Sequence, residues 1–155
     1  MVSGLASFAQ QLPAPAGPVM LTVTGAIDVR NAGDRAVFDR ATLSALGLVK
    51  IRTTTPWTDG VVEFEGIAVK RLLNAVGARG RSIHAVAIND YAIDLDIREF
   101  DEVPAILAMR MNGRDLSVRD KGPLWLVYPR DDYPSVRGQP NNFKWIWQLK
   151  TLTIR

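Results

Sequence analysis

Cysteine is absent from the 155 residues. That removes a disulfide framework, a zinc–cysteine site and a thiol nucleophile. Histidine occurs once, as His84; a His-rich metal site is excluded, and a Ser-His-Asp arrangement is disfavoured. No apolar run is long enough to span a bilayer. The net charge is only +3 and is spread along the chain, too weak a bias to argue for nucleic acid. No Gly-x-Gly-x-x-Gly or Walker A loop is found, nor a Gly-x-Ser-x-Gly elbow. Repeats, linkers and low-complexity stretches are missing too. Nothing in the chain demands catalysis.

What is present is an ordinary globular composition, 47% hydrophobic and 23% charged, in a length that suits one domain with a core of its own. Residues 1–18 read as an extended lead-in, because Leu12–Pro18 holds three prolines and a glycine. Met1–Gln11 lacks a basic n-region and does not read as a signal peptide. The domain is expected over 19–155.

Strand signals fall at Val19–Ile27, Leu48–Thr54, Val61–Phe64, Ile83–Ile88, Tyr91–Ile97, Ile106–Met111 and Leu124–Tyr128. Asn112-Gly113 predicts a tight hairpin with Leu116–Val118 as partner strand, and Phe143–Ile154 predicts a long closing strand. Helical spacing appears over Asp39–Leu46 and, more strongly, over Ile67–Val76, each stopped by a glycine. Arg98–Glu102 suits one helical turn. The expected class is α+β, strand-rich, with two or more short helices.

Three segments gather the groups able to hold a ligand. In Thr53–Asp59, Pro56 biases Thr55 away from helix and Trp57 offers a flat apolar face with one N–H donor. Trp57 is either a core anchor or one wall of a pocket. Asn89-Asp90-Tyr91 breaks two strands, and Asp90 is the leading carboxylate for ligand contact because it follows an apolar strand. It is suited to accept a charge-assisted pair from a heterocycle's N–H and amino group. The third segment, Arg119–Trp125, joins through the polar loop Arg130–Asn142, long enough to be functional, to Asn141–Trp145. From Arg110 to Lys144 there are seven cations (Arg110, Arg114, Arg119, Lys121, Arg130, Arg137, Lys144) against four carboxylates (Asp115, Asp120, Asp131, Asp132), either a locally positive region or a solvated face. His84 reads as a satisfied strand histidine.

The order of Thr53–Gly60, Phe64-Glu65-Gly66-Ile67-Ala68-Val69, Leu72-Leu73, Gly77, Ala87–Tyr91, Leu107–Gly113, Gly122–Pro129 and Lys144-Trp145 resembles the molybdopterin-binding domain of the sulfite oxidase family, over roughly residues 20 to 155. That resemblance implies a cysteine ligand to molybdenum a few residues before Trp57. Here Thr53 or a neighbour holds that position, and a hydroxyl is a poor substitute for a soft thiolate. Thr-Pro-Trp-Thr, Asn-Asp-Tyr, Arg-Asp-Lys-Gly-Pro-Leu-Trp and Trp-Gln-Leu are closer to a small branch, the PruR-type periplasmic pterin-binding proteins. This second resemblance implies a non-catalytic protein that holds a reduced, molybdenum-free pterin. It also implies contact with the periplasmic part of a membrane-bound signalling protein, a cyclic di-GMP enzyme or a sensor kinase. Candidate ligand-binding residues are then Thr55, Trp57, Asn89, Asp90, Tyr91, Arg119, Lys121, Tyr133 and Lys144, with the two lysines placed there by family pattern. No catalytic residue, metal, nucleic acid or direct membrane insertion is expected. The alternatives are a molybdenum-cofactor oxidoreductase with a non-cysteine ligand set and a ligand-free interaction domain.

Overall fold

The computed structural model describes residues 12–155. The signal-peptide question at Met1–Gln11 therefore lies outside the described residues. The elements are β1 (Leu21–Gly25), β2 (Ala36–Phe38), α1 (Arg40–Ser44), β3 (Leu48–Thr53), β4 (Val62–Ala68), α2 (Val69–Ala75), β5 (Ser82–Ala87), β6 (Ala92–Asp96), α3 (Glu99–Glu102), β7 (Ile106–Met111), β8 (Arg114–Asp115), β9 (Trp125–Val127) and β10 (Leu149–Ile154), with 3-10 turns at Pro134–Val136 and Gln139–Lys144. This is the strand-rich α+β class.

The strands form two sheets. One runs β2-β1-β10-β5-β6, with β1 and β10 parallel and the remaining pairs antiparallel. The other runs β3-β4-β7-β8, and β9 pairs with β7. Alternation in β5 and β6 puts Ile83, Ala85, Ile93 and Leu95 on the buried face. Between the sheets lies a small cavity lined by Ile83, Ala85, Leu149 and Leu152 of the first and Leu107 and Leu126 of the second, so one apolar core serves both. The α2 residues Val69, Leu72 and Leu73 join that core on one helix face. Gly77, with φ +61°, follows the helix in the left-handed conformation that ends it cheaply.

Three local readings are corrected, and one strand is added. The helix expected from Ile67 begins at Val69, because Ile67 and Ala68 stay in β4, paired with Leu107 and Ile106. Gly66 also lies inside that strand, at a bulge where a Cβ would stand 1.9 Å from the Leu107 carbonyl oxygen. The partner of β7 after Asn112-Gly113 is Arg114–Asp115, not Leu116–Val118. Both turn residues have positive φ, 50° and 80°, so the two-residue turn leaves the partner strand starting at once. The closing strand covers only Leu149–Ile154. Gln139–Lys144 coils as 3-10 helix and Gln148 takes φ 52°, which breaks the extended run. The added strand is β2, whose three buried residues show no alternation to reveal it.

The lead-in from Leu12 is without helix or strand, and it is tied down by Asp39. This carboxylate caps α1 by accepting from the Thr42 amide at 2.8 Å, and it also accepts from Ala16 and Gly17 amides at 3.0 and 2.8 Å. These bonds, the Thr42 amide foremost, hold its pKa down at about 2.

Candidate functional site: an aromatic cleft beside a clamped strand end

The turn after β3 is built from its own hydroxyls. Thr53 is fully buried, and its hydroxyl donates to the Thr54 carbonyl at 3.0 Å. Thr54 is held by Asp131: its amide donates to Oδ2 at 2.9 Å and its hydroxyl to Oδ1 at 2.5 Å. Arg130 Nε donates to the same hydroxyl at 3.1 Å. The Thr54 bonds lead the causes that lower the Asp131 pKa. Arg137 then secures the loop by donating to the carbonyls of Arg130 and Asp131. Thr55, also buried, accepts from the Trp57 amide at 3.1 Å and shares a hydrogen bond with the Thr58 hydroxyl at 2.8 Å. This bridges Pro56 and fixes where Trp57 emerges.

Trp57 meets three other tryptophans edge to face, with ring centroids 6.2 Å from Trp125, 5.8 Å from Trp145 and 5.2 Å from Trp147. It is still 36% exposed, so the ring is both anchored and available. Beside it opens a cleft of about 370 Å³, lined by Trp57, Ala87, Asn89, Tyr91, Asn142, Phe143, Trp145, Ile146 and Trp147. None of these side chains is charged. The carboxamides of Asn89 and Asn142 supply its side-chain amide groups. A small apolar cleft with a few convergent polar groups is the usual form of a small-molecule site.

The β5–β6 connection forms one wall. Asn89 Oδ1 accepts from the Tyr91 amide at 3.1 Å, and the Asp90 amide donates to the Ala87 carbonyl at 3.0 Å. Asp90 has φ 69° and does not line the cleft, whereas its neighbours Asn89 and Tyr91 do. The Tyr91 hydroxyl donates to the Phe143 carbonyl at 3.4 Å, linking this wall to the one that begins within the second 3-10 turn.

Of the nine expected residues, the cleft brings together Trp57, Asn89 and Tyr91. Thr55 supports the turn from beneath. Lys121 sits behind the tryptophans, its ammonium 5.5 Å from the Trp125 ring centroid and 5.4 Å from that of Trp147. Lys144 points the other way and donates to Glu99 Oε1 at 2.6 Å; the same carboxylate accepts from the Tyr128 hydroxyl at 3.1 Å. Burial, reinforced by Glu99, pushes that phenol well above its usual pKa. Arg119 is exposed and outside the cleft lining, and Tyr133 packs against the core from the 130–137 loop. Five of the seven cations between Arg110 and Lys144 are spent on internal ties. Arg110 pairs with Glu65 and Asp115, Lys121 with Asp120, and Lys144 with Glu99. Arg130 and Arg137 hold the clamp. The wall formed by Asn142, Phe143, Trp145 and Trp147 lies largely in the Asn141–Trp145 segment expected to hold a ligand, although none of the four is among the nine candidate residues. Its signal was the aromatic density of Phe143–Trp147, which the sequence reading assigned to a strand.

The family model for the oxidoreductase molybdopterin binding domain matches residues 22–153. No curated protein matches the chain. Among solved structures, the sulfane dehydrogenase SoxCD from Paracoccus pantotrophus is similar in fold, with a TM-score of 0.63 at 18% identity over 86% of this chain. The chain spans 37% of the length of that relative.

Proposed function

This chain belongs to the oxidoreductase molybdopterin binding domain family, and we propose that within it the domain is a non-catalytic binder of a reduced, molybdenum-free pterin. The observation that carries the reading is the uncharged aromatic cleft beside Trp57. A pterin is flat and stacks on an aromatic wall, and its pyrimidine edge mixes donors and acceptors as the two carboxamides do. The cleft volume lies at the lower end of the range for small-molecule sites, which suits one bicyclic head group.

Molybdenum fits the residues poorly. The metal-ligand position of the sulfite oxidase pattern carries threonines, and the chain has no cysteine. The Thr53 hydroxyl donates to a carbonyl and the Thr54 hydroxyl to Asp131. Neither is a soft anionic donor. The resemblance to PruR-type proteins extends the proposal. The protein works in the periplasm and presents its pterin to the outer part of a membrane-bound signalling protein, a cyclic di-GMP enzyme or a sensor kinase.

The test is to extract purified protein with acid, record pterin fluorescence, and measure molybdenum by elemental analysis. The expected outcome is a fluorescent pterin and no molybdenum. About one molybdenum per chain would instead support the oxidoreductase. An empty extract together with no thermal shift on adding reduced pterins would leave a ligand-free interaction domain. For the signalling arm, cyclic di-GMP is compared in cells with and without this protein; an unchanged level, with no sensor-kinase output altered either, removes that arm.

A further inference from the structure

We infer that Lys121 is a positioning residue: it sets the Trp147 wall of the cleft from behind instead of touching the ligand. The inference rests on the reading of the cleft as a pterin site. Lys121 is absent from the cleft lining, whereas Trp147 is part of it. Its ammonium lies within 6 Å of the centroids of Trp125 and Trp147 together, the range in which a cation is drawn to an indole face. The side chain is only 22% exposed, so water screens that attraction incompletely. Asp120, itself largely exposed, stands 3.6 Å from the ammonium, and the indole contacts hold beside this ion pair.

The main chain of Lys121 acts on the same element. Its carbonyl accepts from the Gln148 amide at 3.0 Å, one residue past Trp147. Gln148 Nε2 returns a bond to the Val118 carbonyl at 2.5 Å. Gln148 holds φ 52°, a conformation that costs a non-glycine residue and persists only where neighbours hold it. Trp147 is thus gripped through its ring and through the peptide that follows it. Trp147 in turn stands edge-on to Trp57 at 5.2 Å, so Lys121 reaches the ligand face through a chain of aromatic contacts.

The experiment measures affinity for two reduced pterins, one with an uncharged hydroxylated tail and one with that tail phosphorylated, in wild type, Lys121→Met, Lys121→Arg and Trp147→Leu. It includes the Lys121→Met, Trp147→Leu double variant, with near-ultraviolet circular dichroism throughout. Lys121→Gln replaces Lys121→Met should the latter not fold. Lys121→Met is expected to weaken both pterins equally, by about 5- to 30-fold, and to alter the tryptophan dichroism. Lys121→Arg should restore both readouts, and in the Trp147→Leu background the lysine change should add nothing. A loss confined to the phosphorylated pterin, or an additive double variant, overturns the inference, because the lysine then meets the ligand directly. If wild type binds neither pterin, the reading of the cleft fails. The dichroism still decides the positioning: unchanged tryptophan bands in Lys121→Met overturn it, and altered bands restored by arginine support it.

Discussion

At the start of the turn after β3, the hydroxyls of Thr53, Thr54 and Thr55 all have partners within the chain. Two residues further, Trp57 presents a partly exposed ring to a cleft without a charged wall. The first region is polar, closed and satisfied; the second is apolar and open. The contrast shows how one short segment combines an anchor with a receptor. A tryptophan left partly in water is ordinarily free to reorient. Here its backbone leaves a strand end pinned by Asp131, and its edge is boxed by three indoles. A wall held in place before the ligand arrives spares the cost of ordering it on binding.

The contrast breaks most visibly at Trp57. Trp57→Ala removes the stacking face and the hub of the tryptophan cluster. Pterin affinity is expected to fall by roughly 30-fold or more, as for an aromatic hot spot. The fold should survive, with about 2 kcal/mol lost because the ring is only partly buried. Fluorescence titration gives the first number and thermal or denaturant unfolding the second. Normal binding by Trp57→Ala would put the ligand elsewhere.

The clamp should respond in the opposite sense, in stability more than in affinity. Asp131→Asn loses charge-assisted bonds to Thr54, worth about 1 kcal/mol after discounting for solvent screening at an exposed carboxylate. Because the folded-state pKa of Asp131 is lowered, its contribution is fully present above the unfolded value, about 3.9. It is lost as pH falls through the lower folded value. The gap in melting temperature between wild type and Asp131→Asn is therefore expected to stay constant at pH values well above about 3.9 and to shrink as the pH falls below it. A gap that does not shrink below that value would mean that the asparagine disturbs the loop by packing and not by charge.

The two regions were not equally legible beforehand. Periodicity located β5, β6 and the buried face of α2, because each shows one face to the core and the repeat records it; β7 was legible instead as a short apolar run, buried on both faces over Ile106–Met109. Trp57 and the Asn89–Tyr91 break stood out for similar reasons: a large aromatic at a proline turn and a polar step between two apolar strands. The clamp left no such trace, and the back wall left only the aromatic density of Phe143–Trp147. Asp131 meets Thr54 across 77 residues, and no local pattern encodes a contact of that span. The apolar run Phe143–Ile154 looks like a strand because every other residue is large. Which part pairs is decided by the Lys121 carbonyl and the left-handed Gln148, and neither is visible in composition. Lys121 and Lys144 likewise looked equivalent, yet two tryptophan rings attract one and a carboxylate on α3 attracts the other.

The smallest expected effect sharpens the boundary of the cleft. Asp90 lies between two lining residues but has φ 69°, a left-handed conformation that aspartate tolerates and glycine adopts freely. Asp90→Gly relieves that strain and, in the same step, loosens the unfolded chain; the two effects are of similar size and opposite sign. Net stability should change by less than about 0.5 kcal/mol. With the side chain outside the cleft lining, affinity for the pterin should stay within about twofold. Asn89→Ala is the paired control, because Asn89 both lines the cleft and caps the turn by accepting from the Tyr91 amide. It should weaken binding by several-fold, in line with one lost hydrogen-bonding group. If Asp90→Gly instead matches or exceeds Asn89→Ala in the binding assay, the carboxylate reaches the ligand. The pterin would then extend over the hairpin tip, and the uncharged cleft would hold only part of it.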